Sequence, residues 1–141
     1  MIEKININSS YLHILENYFT DVFTQEKVKY DIENNDFTNY YTYVIDGNPV
    51  AFINYQIMYE RAELIQINVL DDFKKQGIAS KLVELMINDC VKNNVESITL
   101  EVRIDNVPAI SLYNKYGFVE IGQRKGYYKG IDGLLMERKL I

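Results

Sequence analysis

Residues 71–86 read DDFKKQGIASKLVELM, which places Lys74, Lys75 and Lys81 with Gly77 at the start of an amphipathic helix. A helix N-terminus offers backbone N–H groups without intrahelical acceptors and about half a positive charge, so it attracts phosphate. A glycine at that point lets a ligand approach the backbone closely. The chemistry on offer is the binding of a diphosphate. A helix-start glycine in a solvated lysine face is the competing reading, because a single glycine is a weak motif. Two common phosphate-binding patterns fail here. Leu82 stands where the phosphate loop G-x-x-x-x-G-K-[ST] needs its second glycine, and Ala79 and Leu82 replace the last two glycines of G-x-G-x-x-G. Glu101, at the end of the next strand, only imitates the ribose-binding acid of that second pattern.

The elements that must position these residues follow from periodicity. MIEKININ reads as a first strand, and from Ser9-Ser10, plausible N-cap residues, Leu12, Leu15, Tyr18, Phe19 and Val22 recur at helical spacing. One or two helices are expected over residues 10–35. Residues 40–70 are dense in Tyr, Val and Ile and are broken at Asp46-Gly47-Asn48 and near Glu60-Arg61, which predicts a three-stranded meander. Ile78, Leu82, Leu85, Met86 and Cys90 predict a helix ending near Asn93-Asn94. ESITLEVR alternates Ile98, Leu100 and Val102 against Thr99, Glu101 and Arg103, so it is a strand with one apolar face. Asn106 caps a short helix that has Pro108 in its first turn and Gly117 past its end. Two closing strands are joined near 129–133. The order describes an α/β sheet of mixed, mostly antiparallel direction, with strands 62–69 and 96–103 parallel because a helix links them.

Composition narrows the function classes. The chain has 141 residues, 48% of them hydrophobic, with 12 Tyr and 6 Phe, which suits one domain over 1–141 that folds alone. A net charge of −5 argues against nucleic acid or an anionic membrane as partner, since phosphate contacts need a basic field. One cysteine and one histidine, Cys90 and His13, exclude an internal disulfide and a Cys/His zinc cluster, and no metal is implied. Cys90 falls on the apolar helix face and reads as core, not nucleophile. His13 reads as a surface or hydrogen-bonded histidine. The N-terminus has no apolar signal region and no apolar run approaches a membrane span, so the expected compartment is the cytosol.

Lys74-Lys75-Gln76-Gly77-Ile78-Ala79 resembles the coenzyme A loop Q/R-x-x-G-x-G/A of the GNAT acetyltransferases, with lysine at its first position. The resemblance continues through LEVRIDNVPAISLYNKYGF and RKGYYKGIDGLLM, and it is most similar to the bacterial ribosomal-protein-alanine N-acetyltransferases. Where that family has an acidic residue and alanine before its last strand, this chain has Ile131-Asp132-Gly133. The resemblance implies the GNAT fold, about seven strands flanked by about four helices, and acetyl-CoA as cosubstrate. It implies that Lys75, Gln76, Gly77, Ile78, Ala79 and Ser80 hold the pyrophosphate. The backbone of Ile67, Asn68 and Val69, with the Asn106 side chain, would contact the rest of the cosubstrate.

By the same resemblance Glu101 is the general base, Tyr113 the proton donor to the leaving thiolate, and Tyr127 and Tyr128 line the peptide groove. The implied acceptor is the α-amine of a protein N-terminus, with alanine-initiated ribosomal proteins as candidates. An α-amine with a pKa of about 8 loses its proton far more easily than a lysine of about 10.4, so a mild base suffices. Two alternatives stay open. One is a GNAT acting on a small-molecule amine or lysine side chain, and the other is an acyl-CoA-binding domain without turnover.

Overall fold

The computed structural model describes residues 1–141. Its strands form one seven-stranded mixed sheet in the order β1-β2-β3-β4-β5-β7-β6. The chain runs β1 (Ile2–Lys4), α1 (Leu12–Tyr18), α2 (Gln25–Asn34), β2 (Thr38–Ile45), β3 (Asn48–Met58), β4 (Arg61–Val69), α3 (Ile78–Lys92), β5 (Ser97–Arg103), α4 (Val107–Lys115), β6 (Val119–Tyr128) and β7 (Ile131–Lys139). That is the expected GNAT-type set of seven strands and four helices. No helix is long and apolar enough to cross a membrane. The chain divides into two compact units, Met1–Gln56 with Ile65–Met86, and Ile57–Leu64 with Ile87–Ile141.

In the first unit, Ile5, Leu12, Leu15, Phe23, Val28 and Phe52 form a buried cluster. Phe52 receives the ring edges of Phe19 and Phe23 at centroid distances of 5.1 and 5.0 Å. Strands β2 and β3 pair antiparallel from Thr38↔Gln56 to Ile45↔Asn48, with a bulge at Tyr43/Val44. Asp46 and Gly47 both have positive φ, the I′ turn geometry that matches strand twist and that Asp-Gly favours. β3 is buried continuously from Pro49 to Tyr55, as a strand covered on both faces should be.

Two expected boundaries moved, for local reasons. β1 ends at Lys4 because Asn6 Oδ1 accepts the N–H of Asn8 at 3.0 Å and turns the chain. The N-cap of α1 is Tyr11, not Ser9 or Ser10. Ser9 Oγ accepts the N–H of Tyr11 at 3.3 Å and closes a turn one step ahead of the helix.

In the second unit, β4 and β5 are parallel over Arg61–Glu63 and Ser97–Thr99. Such a pair needs a crossover, and α3 supplies it. Asn94, with φ +59, ends that helix, and the N–H of Val95 returns to the Cys90 carbonyl at 3.0 Å. β5 and β7 pair along their lengths from Ser97↔Lys139 to Arg103↔Gly133. On β5, Ile98, Leu100 and Val102 are buried, so Thr99 and Glu101 occupy the other face.

Asp31 ties α2 to β2 in the first unit. Its Oδ2 accepts from the Tyr40 hydroxyl at 2.9 Å and the Thr38 hydroxyl at 3.0 Å, and Oδ1 accepts from the Asn35 amide at 3.2 Å. Burial and this bond to Asp31 raise the Tyr40 pKa. Asp31→Ala is expected to lower the unfolding free energy by about 2 kcal/mol, because two hydroxyls and an amide lose their acceptor. Urea denaturation measures this, and a loss below about 0.5 kcal/mol would contradict the network's role.

Candidate active site

The glycine loop lies in the first unit. Asp71–Phe73 form a single 3-10 turn, and Lys75 (φ +62) and Gly77 (φ +80) are both left-handed. A Cβ built on Gly77 meets nothing within 4 Å, so the backbone angle favours glycine and the space in front of it is open. The N–H of Lys81 bonds the Gly77 carbonyl at 3.1 Å, which opens the α3 ladder. The N–H groups of Ile78, Ala79 and Ser80 therefore stand in the first turn, without intrahelical acceptors. This donor set fits a diphosphate of the kind acetyl-CoA carries.

The lysines are less free than their spacing suggested. Lys74 Nζ pairs with Asp71 at 2.9 Å, and that bond holds the Asp71 carboxyl below its usual range. Lys81 Nζ approaches the Tyr43 hydroxyl at 3.3 Å and lies 5.6 Å from the centre of its ring. Gln76 Nε2 donates to the Asp72 carbonyl at 3.4 Å. Lys75 is exposed beside the helix mouth. Ile67, Asn68 and Val69 close β4 and are half-buried, with the Asn68 amide donating to Gln66 Oε1 at 3.2 Å.

The second unit holds the carboxylate. The Glu101 side chain, 19% exposed, places Oε1 3.4 Å from Arg124 Nη2. Its Oε2 is buried and has no hydrogen-bond partner. That oxygen stands where a Cβ on Gly133 would lie, and the same Cβ would come within 3.2 Å of Tyr128 Cε2. Gly133 is therefore needed for close approach and not for its backbone angle. The register explains the meeting: Gly133 faces Arg103 on β5 and Arg124 on β6, and Glu101 lies two residues along the same face of β5.

Between Arg124↔Gly133 and Tyr128↔Ile131 the β6 strand carries three residues against one on β7. This bulge is pinned by Asp132 Oδ1, which accepts the N–H of Gly126 (φ +62) at 2.9 Å. Lys129 and Gly130 close the hairpin with positive φ. Tyr127 and Tyr128 meet edge to face at 5.0 Å, and the Arg124 guanidinium lies 4.4 Å over the Tyr127 ring. Burial first, and then the negative charge of Glu101, raise the Tyr128 pKa.

Tyr113 is 6% exposed, with its ring edge-on to Phe118 at 5.9 Å. Burial pushes its phenol up to about 12, so at neutral pH it is a donor and not a tyrosinate. Asn106 Oδ1 accepts the Ala109 N–H at 3.3 Å, the cap its position predicted. Arg103, two residues after Glu101, is bidentate to Asp105 at 2.9 and 3.0 Å. Cys90 is fully buried, and burial, with Asp89 nearby in charge, raises its thiol to about 12, as suits a core residue. His13 is exposed.

The contacts that sequence reasoning missed are those of Arg124 and Gly133. The signal was the hairpin register, but two bulges on β6 shift the pairing and hide it.

A model of the acetyltransferase (GNAT) family matches residues 8–118. A ribosomal protein bS18-alanine N-acetyltransferase of Escherichia coli is 38% identical over 88 residues, which is 62% of this chain. The chain spans 60% of the length of that relative in this match. An N-alpha-acetyltransferase of Saccharolobus solfataricus is 31% identical over 144 aligned residues, covering 92% of this chain and 82% of the relative. The crystal structure of the Escherichia coli ribosomal-protein-S18-alanine N-acetyltransferase superimposes with a TM-score of 0.84 at 25% identity, over 99% of this chain and 94% of that one.

For the loop, Gly77→Asp is expected to abolish acetyl-CoA binding, since an anionic side chain would take the phosphate position. Gly77→Asn, uncharged and equally tolerant of positive φ, should retain most of the affinity. Calorimetry on both folded variants decides it, and equal affinities would remove the loop from the binding site.

Proposed function

The chain belongs to the acetyltransferase (GNAT) family, and from that premise we propose that it transfers the acetyl group of acetyl-CoA to the α-amine of a protein N-terminus in the cytoplasm. The acceptor class is an alanine-initiated protein, with a ribosomal protein as the first candidate, and residues 1–141 act as one acetyltransferase domain. The observation that carries the reading is the Glu101 carboxylate, largely withdrawn from water beside a pair of tyrosines on the last hairpin.

The cosubstrate is held through its pyrophosphate on the first-turn amides of α3, with Lys75, Gln76, Gly77, Ile78, Ala79 and Ser80 as the loop. Backbone N–H groups of Ile67, Asn68 and Val69 polarise the thioester carbonyl, and Asn106 contacts the cosubstrate as well as capping α4. Glu101 takes a proton from the acceptor amine, directly or through water, and the neutral nitrogen attacks the carbonyl carbon. A C–N bond forms, the C–S bond breaks, and the electron pair leaves on sulfur. Tyr113 donates a hydrogen bond and then a proton to that thiolate, and the surplus proton on the acylated nitrogen, relayed through water, restores the phenol. With its phenol at about 12, full transfer to a thiol of about 8.5 is uphill, so hydrogen bonding supplies most of its effect. Tyr127 and Tyr128 floor the groove for the first peptide residues and leave little room beside the amine, which favours a small first side chain.

The α-amine is preferred over lysine for a quantitative reason. The gap of roughly 2.5 pKa units leaves a lysine with a few hundredfold less neutral amine at pH 7. One Ala-initiated peptide with an internal lysine, offered with its N-terminus free and blocked, tests the acceptor. Fragmentation should find the acetyl group on the α-nitrogen, and the blocked peptide should be inert. Acetyl mainly on the lysine, or equal rates for the two forms, would promote the lysine or small-amine reading. Transfer to no amine at all would leave a binding domain.

Glu101→Gln and Tyr113→Phe are each expected to slow turnover by about 10²–10⁴-fold with little change in acetyl-CoA affinity. Because burial keeps Tyr113 protonated, the Tyr113→Phe loss should be constant from pH 6 to 9. A wild-type rate in either variant at saturating substrate would withdraw that residue's role.

A further inference from the structure

We propose that Arg124 is the positioning residue that keeps the Glu101 carboxylate in its seat on the sheet. The proposal rests on Glu101 being the base, and it concerns what holds that base in place. The seat itself offers nothing polar. Oε2 lies in the volume left by the missing side chain of Gly133, next to the ring of Tyr128, and no donor reaches it. A desolvated carboxylate oxygen without a partner gains by turning out to water, and glutamate has three side-chain torsions with which to do so.

What opposes that rotation is the charge at the other oxygen. Arg124 Nη2 stands 3.4 Å from Oε1, in the one ion pair that Glu101 makes. Arg103, the other guanidinium on this face, is committed to Asp105 through two bonds. Arg124 is itself fixed, because its guanidinium lies over the Tyr127 ring and Tyr127 abuts Tyr128. Arg124 and Gly133 are also direct register partners on β6 and β7. One pair of facing residues therefore supplies both the space for one carboxylate oxygen and the charge that retains the other.

Arg124 is half-exposed, so it can hold the carboxylate while its outer edge stays hydrated.

The test is a double-mutant cycle on the full chain, with wild type, Arg124→Ala, Glu101→Gln and the double variant assayed on an Ala-initiated peptide. Arg124→Ala should lower kcat by about 10- to 100-fold, the scale of a base displaced by about an ångström, with the KM for acetyl-CoA unchanged. In the Glu101→Gln background the same substitution should cost about twofold or less, because the group it positions is gone. Arg124→Lys, which keeps the charge and loses the planar stack, should recover part of the rate. Equal slowing in both backgrounds would overturn the proposal and assign Arg124 to the peptide groove instead.

A crystal structure of Arg124→Ala gives a readout that needs no acceptor. The Glu101 carboxylate should have turned out of the space beside Gly133, and a carboxylate still seated there would overturn the proposal. If wild type acetylates no N-terminus, the proposed activity fails while the carboxylate position still decides the role of Arg124. Arg124 is 52% exposed, so its variants should fold, and an Arg124→Gln crystal structure provides the same readout should Arg124→Ala not.

Discussion

An oxygen of Glu101 that no water and no donor reaches is the constraint around which the last third of the chain is arranged. A carboxylate accepts that situation only where its surroundings leave no easy alternative. Alternation on β5 sends Leu100 and Val102 into the core and turns Glu101 to the opposite face. The β5–β7 register then brings a glycine beside it, and the β6–β7 register adds an arginine beyond the glycine. The bulge that Asp132 pins on Gly126 carries the two tyrosines round the same spot. The raised Tyr128 pKa reflects this crowding, through burial and through the neighbouring negative charge. A larger residue at 133 or a straight β6 strand would disturb all of these together.

The glycine loop ahead of α3 is built on a different principle. Its donors are consecutive amides at the start of one helix, and its glycine is needed for a backbone angle, where Gly133 is needed for space. The lysines around it are largely engaged, Lys74 by Asp71 and Lys81 by Tyr43. A net charge of −5 does not by itself bar an anion from such a helix start, because backbone dipoles act at contact range while distant surface charges are screened beyond about 8 Å.

The family match stops at residue 118, just before β6 begins at Val119. The matched span includes the loop, Glu101, Asn106 and Tyr113. The hairpin that carries Arg124, Tyr127, Tyr128 and Gly133 lies outside it. The residues nearest the carboxylate, Arg124, Tyr128 and Gly133, thus lie beyond the span that the family model matches.

Local order was legible in the chain's own pattern. Helical and alternating spacings located the strands and the helices α3 and α4, and left one or two helices open over residues 10–35, where α1 and α2 stand; Asp46-Gly47, Asn94, Asn106 and Gly117 marked turns and helix ends, because a turn or cap involves residues only a few positions apart. The same locality marked Gly77 as a glycine at the mouth of a helix. Boundaries at Asn6 and Ser9 escaped, since short polar side chains there bonded nearby backbone in place of the helix or strand ladder. What the fold alone decided was which groups meet across strands. Lys81 found Tyr43, 38 residues away, and Glu101 found Arg124 and Gly133. Such meetings depend on register, and each bulge on β6 moves the register without leaving a mark in hydrophobic periodicity.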